Sequence, residues 1–216
     1  MKKLKKRFIV PAVVFILGMC TVIGTIYVVG ESQEQQNRTN AKLNAMTYTE
    51  RIYGELMAGI GVTDTLKQVV KSDDGNINRF YDVAANMMDD SIQSIQIAPN
   101  GVVTEIYPEE MNESGKIDLI NDSDRGEISR YARDNDTVIM QGPLELKQGG
   151  YGIAVRNPVY LEDGTGQEYF WGFTIAILRV PDIFSDAITA LSNFGYEYKI
   201  SKTDAPWSDT YKVVYD

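Results

Sequence analysis

Hydrophobic and polar positions divide the chain into three regimes. Phe8 to Val29 is a run of 22 residues without a charge, long enough to cross a hydrocarbon core. Glu31 to Ile60 contains no proline and is dominated by helix formers. Met46, Tyr53 and Ile60 recur there at heptad spacing, with Leu43 and Met57 between them, which predicts a long helix. Glu50 interrupts the second apolar track, so a coiled-coil stalk and an amphipathic helix lying along its own domain are both open readings. Gly54, Gly59 and Gly61 loosen the far end, and Thr63 suits the N-cap of a separate short helix to Val70.

Beyond Asp73-Asp74-Gly75-Asn76, a turn, the pattern shortens and alternates. Phe80, Val83, Ala84, Met87 and Met88 mark a second helix, the methionines as gap-filling core. Ile92 to Ala98 and Val102 to Tyr107 predict strands about a Pro99-Asn100-Gly101 hairpin. Pro108 to Asp124 is acidic and irregular, Arg125 to Asp134 helical, and Thr137 to Met140 leads into a central block. From Gln141 to Tyr160 two strands are joined by a tight Gly149-Gly150 connection, with Pro158 suited only to an edge or strand end. Tyr169 to Leu178 alternates, with Tyr169, Trp171, Phe173, Ile175 and Ile177 on one face and Phe170, Gly172, Thr174, Ala176 and Leu178 on the other. Val180 to Asn193 is helical, with Pro181 in its first turn. Tyr196 to Ile200 and Tyr211 to Val214 read as the first strands of another sheet.

Charge adds a direction. The net charge is −9, and Lys2, Lys3, Lys5, Lys6 and Arg7 put +5 before the apolar run, leaving −14 on the rest. The basic end predicts a cytoplasmic tail (1–7), a transmembrane helix (8–29) and everything after it outside the cytoplasm. Length and flanks favour a retained anchor over a cleaved leader. The acidic remainder argues against nucleic acid as a partner. The chain has no histidine, which excludes imidazole triads, proton shuttles and histidine metal sites. Cys20, the one cysteine, lies within the apolar run, so the exported part must fold without a disulfide.

Few motifs carry chemistry. Asn121-Asp122-Ser123-Asp124-Arg125-Gly126 begins like a calcium loop, but Arg125 stands where an acidic or amide side chain belongs and the closing glutamate is missing. An Asp capping a helix that starts near Arg125 explains it. Gly149-Gly150-Tyr151-Gly152 leads into a strand, not the helix a phosphate loop requires. Asn37, Asn112, Asn121 and Asn135 stand in Asn-x-Ser/Thr sequences, relevant only in a glycosylating host. Asp89-Asp90 and Glu109-Glu110 have no histidine, cysteine or clear pocket context, so no catalytic residue, metal ligand or cofactor is expected.

The run Ser94 to Val103, followed by Tyr107-Pro108, Asp118-Leu119, Asn121-Asp122 and Arg125, resembles a CHASE sensor domain. So do Gln141-Gly142-Pro143-Leu144, Gln148 to Gly152, Arg156-x-Pro158-Val159-Tyr160 and Phe170-Trp171-Gly172-Phe173, in family order from Ser94 to Leu191. The resemblance implies an extracytoplasmic input domain of a membrane receptor, with a long helix followed by PAS-like domains. The output would be a cytoplasmic histidine kinase, diguanylate cyclase or phosphodiesterase module.

The expected architecture is therefore α+β: a stalk helix (31–60), then a PAS-like antiparallel five-stranded sheet with flanking helices (61–193), then the truncated start of a membrane-proximal second domain (194–216). The expected partners are a small molecule, the membrane and a second copy of the chain through the stalk. A ligand-independent dimerisation or protein-interaction module is the alternative. For the ligand, Gly172, Thr174 and Ala176 form a small-residue strand face, and Gly152, Ala154 and Arg156 another. If these coincide they leave a cleft with Arg156 and Thr174 as polar groups and Gln141, Tyr107 and Tyr151 at its edges, fit for a carboxylate or another planar acceptor. The rival filler is the N-terminal helix itself, packed closely on the glycine.

Overall fold

The computed structural model describes residues 2–111, 117–123, 125–145, 151–203 and 205–215. The predicted Gly149-Gly150 turn lies outside them. The chain forms two compact units, Met1–Thr47 and Tyr48–Asp216. The first is helical from Lys2 onward, part of helix α1 (Lys2–Ser72), and Phe8 to Val29 expose their apolar side chains. By length and composition this helix can cross a membrane.

The second unit contains the rest of α1, then α2 (Phe80–Met87), β1 (Ile92–Pro99), β2 (Glu105–Tyr107), a 3-10 turn (Glu109–Met111) and α3 (Gly126–Asp134). These are followed by β3 (Ile139–Glu145), β4 (Tyr151–Glu162), β5 (Glu168–Arg179), α4 (Val180–Asn193), β6 (Ile200–Thr203) and β7 (Tyr211–Tyr215). Five strands make one antiparallel sheet in the order β2-β1-β5-β4-β3, while β6 and β7 pair separately. The fold is thus the α+β arrangement expected from the sequence, a long helix and then a five-stranded antiparallel sheet with flanking helices.

Two corrections concern α1. It does not stop near Ile60. Thr63, expected to cap a new helix, lies inside this one, and its Oγ1 donates to Ile60 O at 2.8 Å. Nor does Gly59 loosen the helix: a Cβ there would lie 2.8 Å from both Leu178 methyl carbons, so the missing side chain is what lets α1 sit against β5. Leu66 and Val70 are fully buried, and Ile52, Leu56 and Ile60 pack against the same cluster. Burying Leu66 alone is worth roughly 1.5–3 kcal/mol. The heptad track therefore divides: Leu43, Met46 and Tyr53 are exposed, whereas Ile60 belongs to the core.

A third correction concerns β5. Its partners on β4 jump from Val159↔Gly172 to Tyr160↔Phe170, leaving Trp171 as a bulge. Alternation fails there: Trp171 joins Ala176 and Leu178 under α1, and Phe170 joins Phe173, Ile175 and Ile177 on the other face. The sheet is thus a central layer between α1, α2 and α4 on one side and α3 with the 117–120 segment on the other. Pro158 sits in β4 opposite Phe173, beyond the last β3 partner at Ile139↔Arg156, where the strand has become an edge. The predicted strand from Val102 begins only at Glu105, since Val102 instead bridges Asp118.

Candidate functional site

The pairing of β4 with β5 decides which of the seven candidate residues share a surface. Asn157 faces Thr174, Val155 faces Ala176 and Val159 faces Gly172, whereas Arg156 faces Ile175. Cross-strand partners point to the same side of a sheet. Thr174, Ala176 and Gly172 therefore lie in the α1 layer, and Arg156 lies in the α3 layer. The two small-residue faces do not coincide.

In the α1 layer the helix is the filler. Thr174 is fully buried and its Oγ1 donates to Thr63 O at 2.9 Å. Ala176 lies in the core beneath the helix, and Tyr107 packs half-buried against the same cluster. Gly172 has φ +154°, and a Cβ on it would lie 2.2 Å from Ala98 O. Asn157, which the sequence reading did not single out, completes a clasp. Its Nδ2 donates to Asp64 Oδ1 at 2.7 Å, its Oδ1 accepts from Lys67 Nζ at 3.3 Å, and Lys67 reaches Asp136 at 3.6 Å.

In the α3 layer Arg156 is 2% exposed, the largest of the fully buried side chains. Its Nη1 donates to Gln141 Oε1 at 2.7 Å, and among the described residues its Nε has no partner. Burial lowers its pKa to about 9, Arg125 pushes the same way and Asp122 opposes them. At neutral pH the group is still a cation. Gln96, also missed, lies on the same rung, with Ile175 between it and Arg156, and donates from Nε2 to Ser94 Oγ at 3.0 Å. The signal for this pair was the polar alternation of Ser94 and Gln96 along β1.

The segment over this layer is built by local hydrogen bonds. Asp118 accepts from the side chain of Asn121 at 2.8 Å and from the backbone N–H groups of Asn121 and Ile120, and these hold its carboxyl below the usual range. Asp122 accepts from Arg125 N at 3.0 Å, one residue ahead of α3. That is close to the expected cap, although Arg125 itself occupies the N-cap position. Asp124 lies outside the described residues. Among the described residues no three acidic or sulfur side chains group as a metal site would require.

A pocket of about 340 Å³ opens where β3 loses register between Gln141 and Leu144. Because Gly142 and Pro143 leave the ladder there, its wall comes from both layers: Ile128 and Gln141 from the α3 side, and Ile52, Leu56, Ile153 and Phe184 from the α1 side. Ile200 to Thr203 of β6 and Val214 of β7 close it. An adjoining space shares Gln141 and Gly142 and reaches Tyr151, which is 59% exposed at the start of β4. Gln141 and Tyr151 thus line these spaces, Arg156 stands behind Gln141 and outside the lining, and Gly172, Thr174, Ala176 and Tyr107 lie in the layer opposite to Arg156.

The family model of the CHASE domain matches residues 75–209. No curated protein matches the chain. Among solved structures, the extracellular ligand binding receptor from Desulfohalobium retbaense DSM5692 is similar, with a TM-score of 0.52 and 14% identity over 67% of this chain. The likeness covers 26% of that receptor, so this chain spans about a quarter of its length, and at this identity it concerns the fold alone.

Proposed function

The chain belongs to the CHASE family of extracellular sensor domains, and from that premise we propose that it binds a small molecule outside the cytoplasm and passes the event to helix α1. The observation that carries this reading is the pocket at the β3 bulge, because Ile52 and Leu56 of α1 form part of its wall. An occupant there touches the transmitting element directly. A ligand shifts a conformational equilibrium only through contacts that differ between the two states, and a wall made by the helix supplies them. The clasp of Asn157 and Thr174 on Thr63, Asp64 and Lys67 holds α1 farther along, so the helix is fixed at one place and open to influence at another.

Solvent extraction of the purified full chain, followed by mass spectrometry, tests the binding step. A small molecule is expected from the wild-type protein and not from Ile128→Trp, which fills the pocket from its half-buried wall. Empty extracts from both would replace this reading with the ligand-independent interaction module.

Under the same proposal the five basic residues stay in the cytoplasm, the second unit is exported, and α1 pairs with a second copy along its exposed stripe. A full-length receptor would add a cytoplasmic output module. With Cys20→Ser as background, single cysteines at Leu43, Met46, Glu50 and Tyr53 report on both points. A membrane-impermeant maleimide should label them in intact cells. Oxidation should give disulfide dimers at Met46 and Tyr53 but not at Glu50. Labelling only after lysis overturns the orientation, and equal crosslinking at all four sites overturns the stripe.

A further inference from the structure

The chain beyond its basic end is strongly acidic, yet the wall of the pocket at the β3 bulge is not. Among the described residues, the only charged side chain lining it is Lys202, and the adjoining space adds Lys212 with no acidic residue. Behind Gln141 stands Arg156, buried, held through Nη1 by a neutral amide oxygen and with Nε unpartnered. A guanidinium out of water is costly unless an acceptor meets it, and Nε with Nη2 is the edge that a carboxylate engages with two parallel bonds. No ion pair within 4 Å supplies such a group to Arg156 among the described residues. The remaining wall is largely apolar, with Ile128, Leu56 and Phe184 about the cavity. Arg156 stands outside the lining and meets it only through Gln141, while Lys202 and Lys212 lie in it beside hydrocarbon, a combination that suits an amphipathic acid.

We propose that this pocket takes an organic acid, its apolar body against Ile128, Leu56 and Phe184 and its carboxylate meeting the Nε–Nη2 edge of Arg156 once Gln141 has swung aside from Nη1. The proposal rests on the ligand-sensing reading above and adds the class of ligand. Gln141 is then the resting acceptor, which occupies one arm of the arginine until the acid arrives. Lys202 and Lys212 at the rim attract an anion from solution and set the salt dependence of its capture. The apolar majority of the wall selects an organic acid over inorganic phosphate.

Isothermal titration of the full chain in nanodiscs tests this with four probes: 4-phenylbutanoate, its primary amide, 4-phenylbutylamine and inorganic phosphate. The acid is expected to bind at least tenfold more tightly than the amide, and the amine and phosphate not measurably. Arg156→Met should weaken the acid by about tenfold to a hundredfold, the worth of a charge-assisted bidentate contact, and leave the amide unchanged. Arg156→Lys should recover part of the loss, because it restores the charge without the fork. Equal binding of acid and amide, an unchanged affinity in Arg156→Met, or no binding by any probe each overturns the proposal. A neutral or cationic molecule extracted from wild-type protein would overturn the organic acid and leave the sensor reading standing. Empty extracts would remove both.

Discussion

Gly172→Val is expected to lower the unfolding free energy by about 4 kcal/mol or more, the sum of backbone strain and overpacking. Two independent causes act at this position. Its φ of +154° lies in a region reserved almost wholly for glycine, and valine, branched at Cβ, is among the residues that least tolerate it. The new Cβ would also stand 2.2 Å from Ala98 O and 2.8 Å from the Cα of Pro99, both backbone atoms of the neighbouring strand. Neither can move without unpairing β1 from β5, since Pro99↔Gly172 is the last rung of that ladder. Against a typical domain stability of about 5–15 kcal/mol, such a loss is a large fraction of the total. Denaturant melting of the detergent-solubilised full chain measures it as a fall in midpoint with the slope retained. A midpoint within error of wild type would show that the Trp171 bulge re-forms elsewhere at little cost. Ala176→Leu, beneath α1, should cost less, about 1–3 kcal/mol, as an overpacked core site.

Arg156→Met should move stability the other way, raising the unfolding free energy of the ligand-free chain by about 1–4 kcal/mol. The methionine keeps much of the volume and removes a buried charge whose one side-chain acceptor among the described residues is Gln141. It also removes Nε, which has no partner to lose among the described residues. Half-buried Gln141 can turn its freed oxygen to solvent, so the change leaves little stranded polarity. The sign is the diagnostic feature. Most buried substitutions destabilise, and a gain here means that the arginine is kept for something other than folding. The same melting experiment reads it. A loss of stability would mean that the guanidinium is satisfied within the fold and is a structural residue.

How far the sequence could be read depended on whether a signal was local. The long helix, the Pro99-Asn100-Gly101 hairpin, and α4 to its exact bounds each follow from periodicity or turn chemistry within a few residues. The failures arose where the answer depended on the neighbouring element. Gly59 looks like a helix breaker until Leu178 lies against it, and Thr63 looks like a cap until the helix is seen to continue. Trp171 sits in a run that alternates without fault on paper, yet one unpaired residue exchanged its face with that of Phe170. The pocket suffered most, because its proposal required the Arg156 face of β4 to meet the Thr174 face of β5. Strand register decides that question, and a slip of one residue inverts it. Arg156 itself and Gln141 were legible as polar residues in apolar strands. Asn157 was not, because its role lies in Asp64 and Lys67, some ninety residues earlier.

The separation of clasp and pocket along α1 also has a mechanical meaning. Ile52 and Thr63 are eleven residues apart on one continuous helix, an arm of about 16 Å at 1.5 Å per residue. With Thr63 pinned through Thr174, a sideways push of 1 Å at Ile52 turns the helix about that point by roughly 4°. Under the proposed function, the domain would thereby convert the thickness of a bound molecule into an angle.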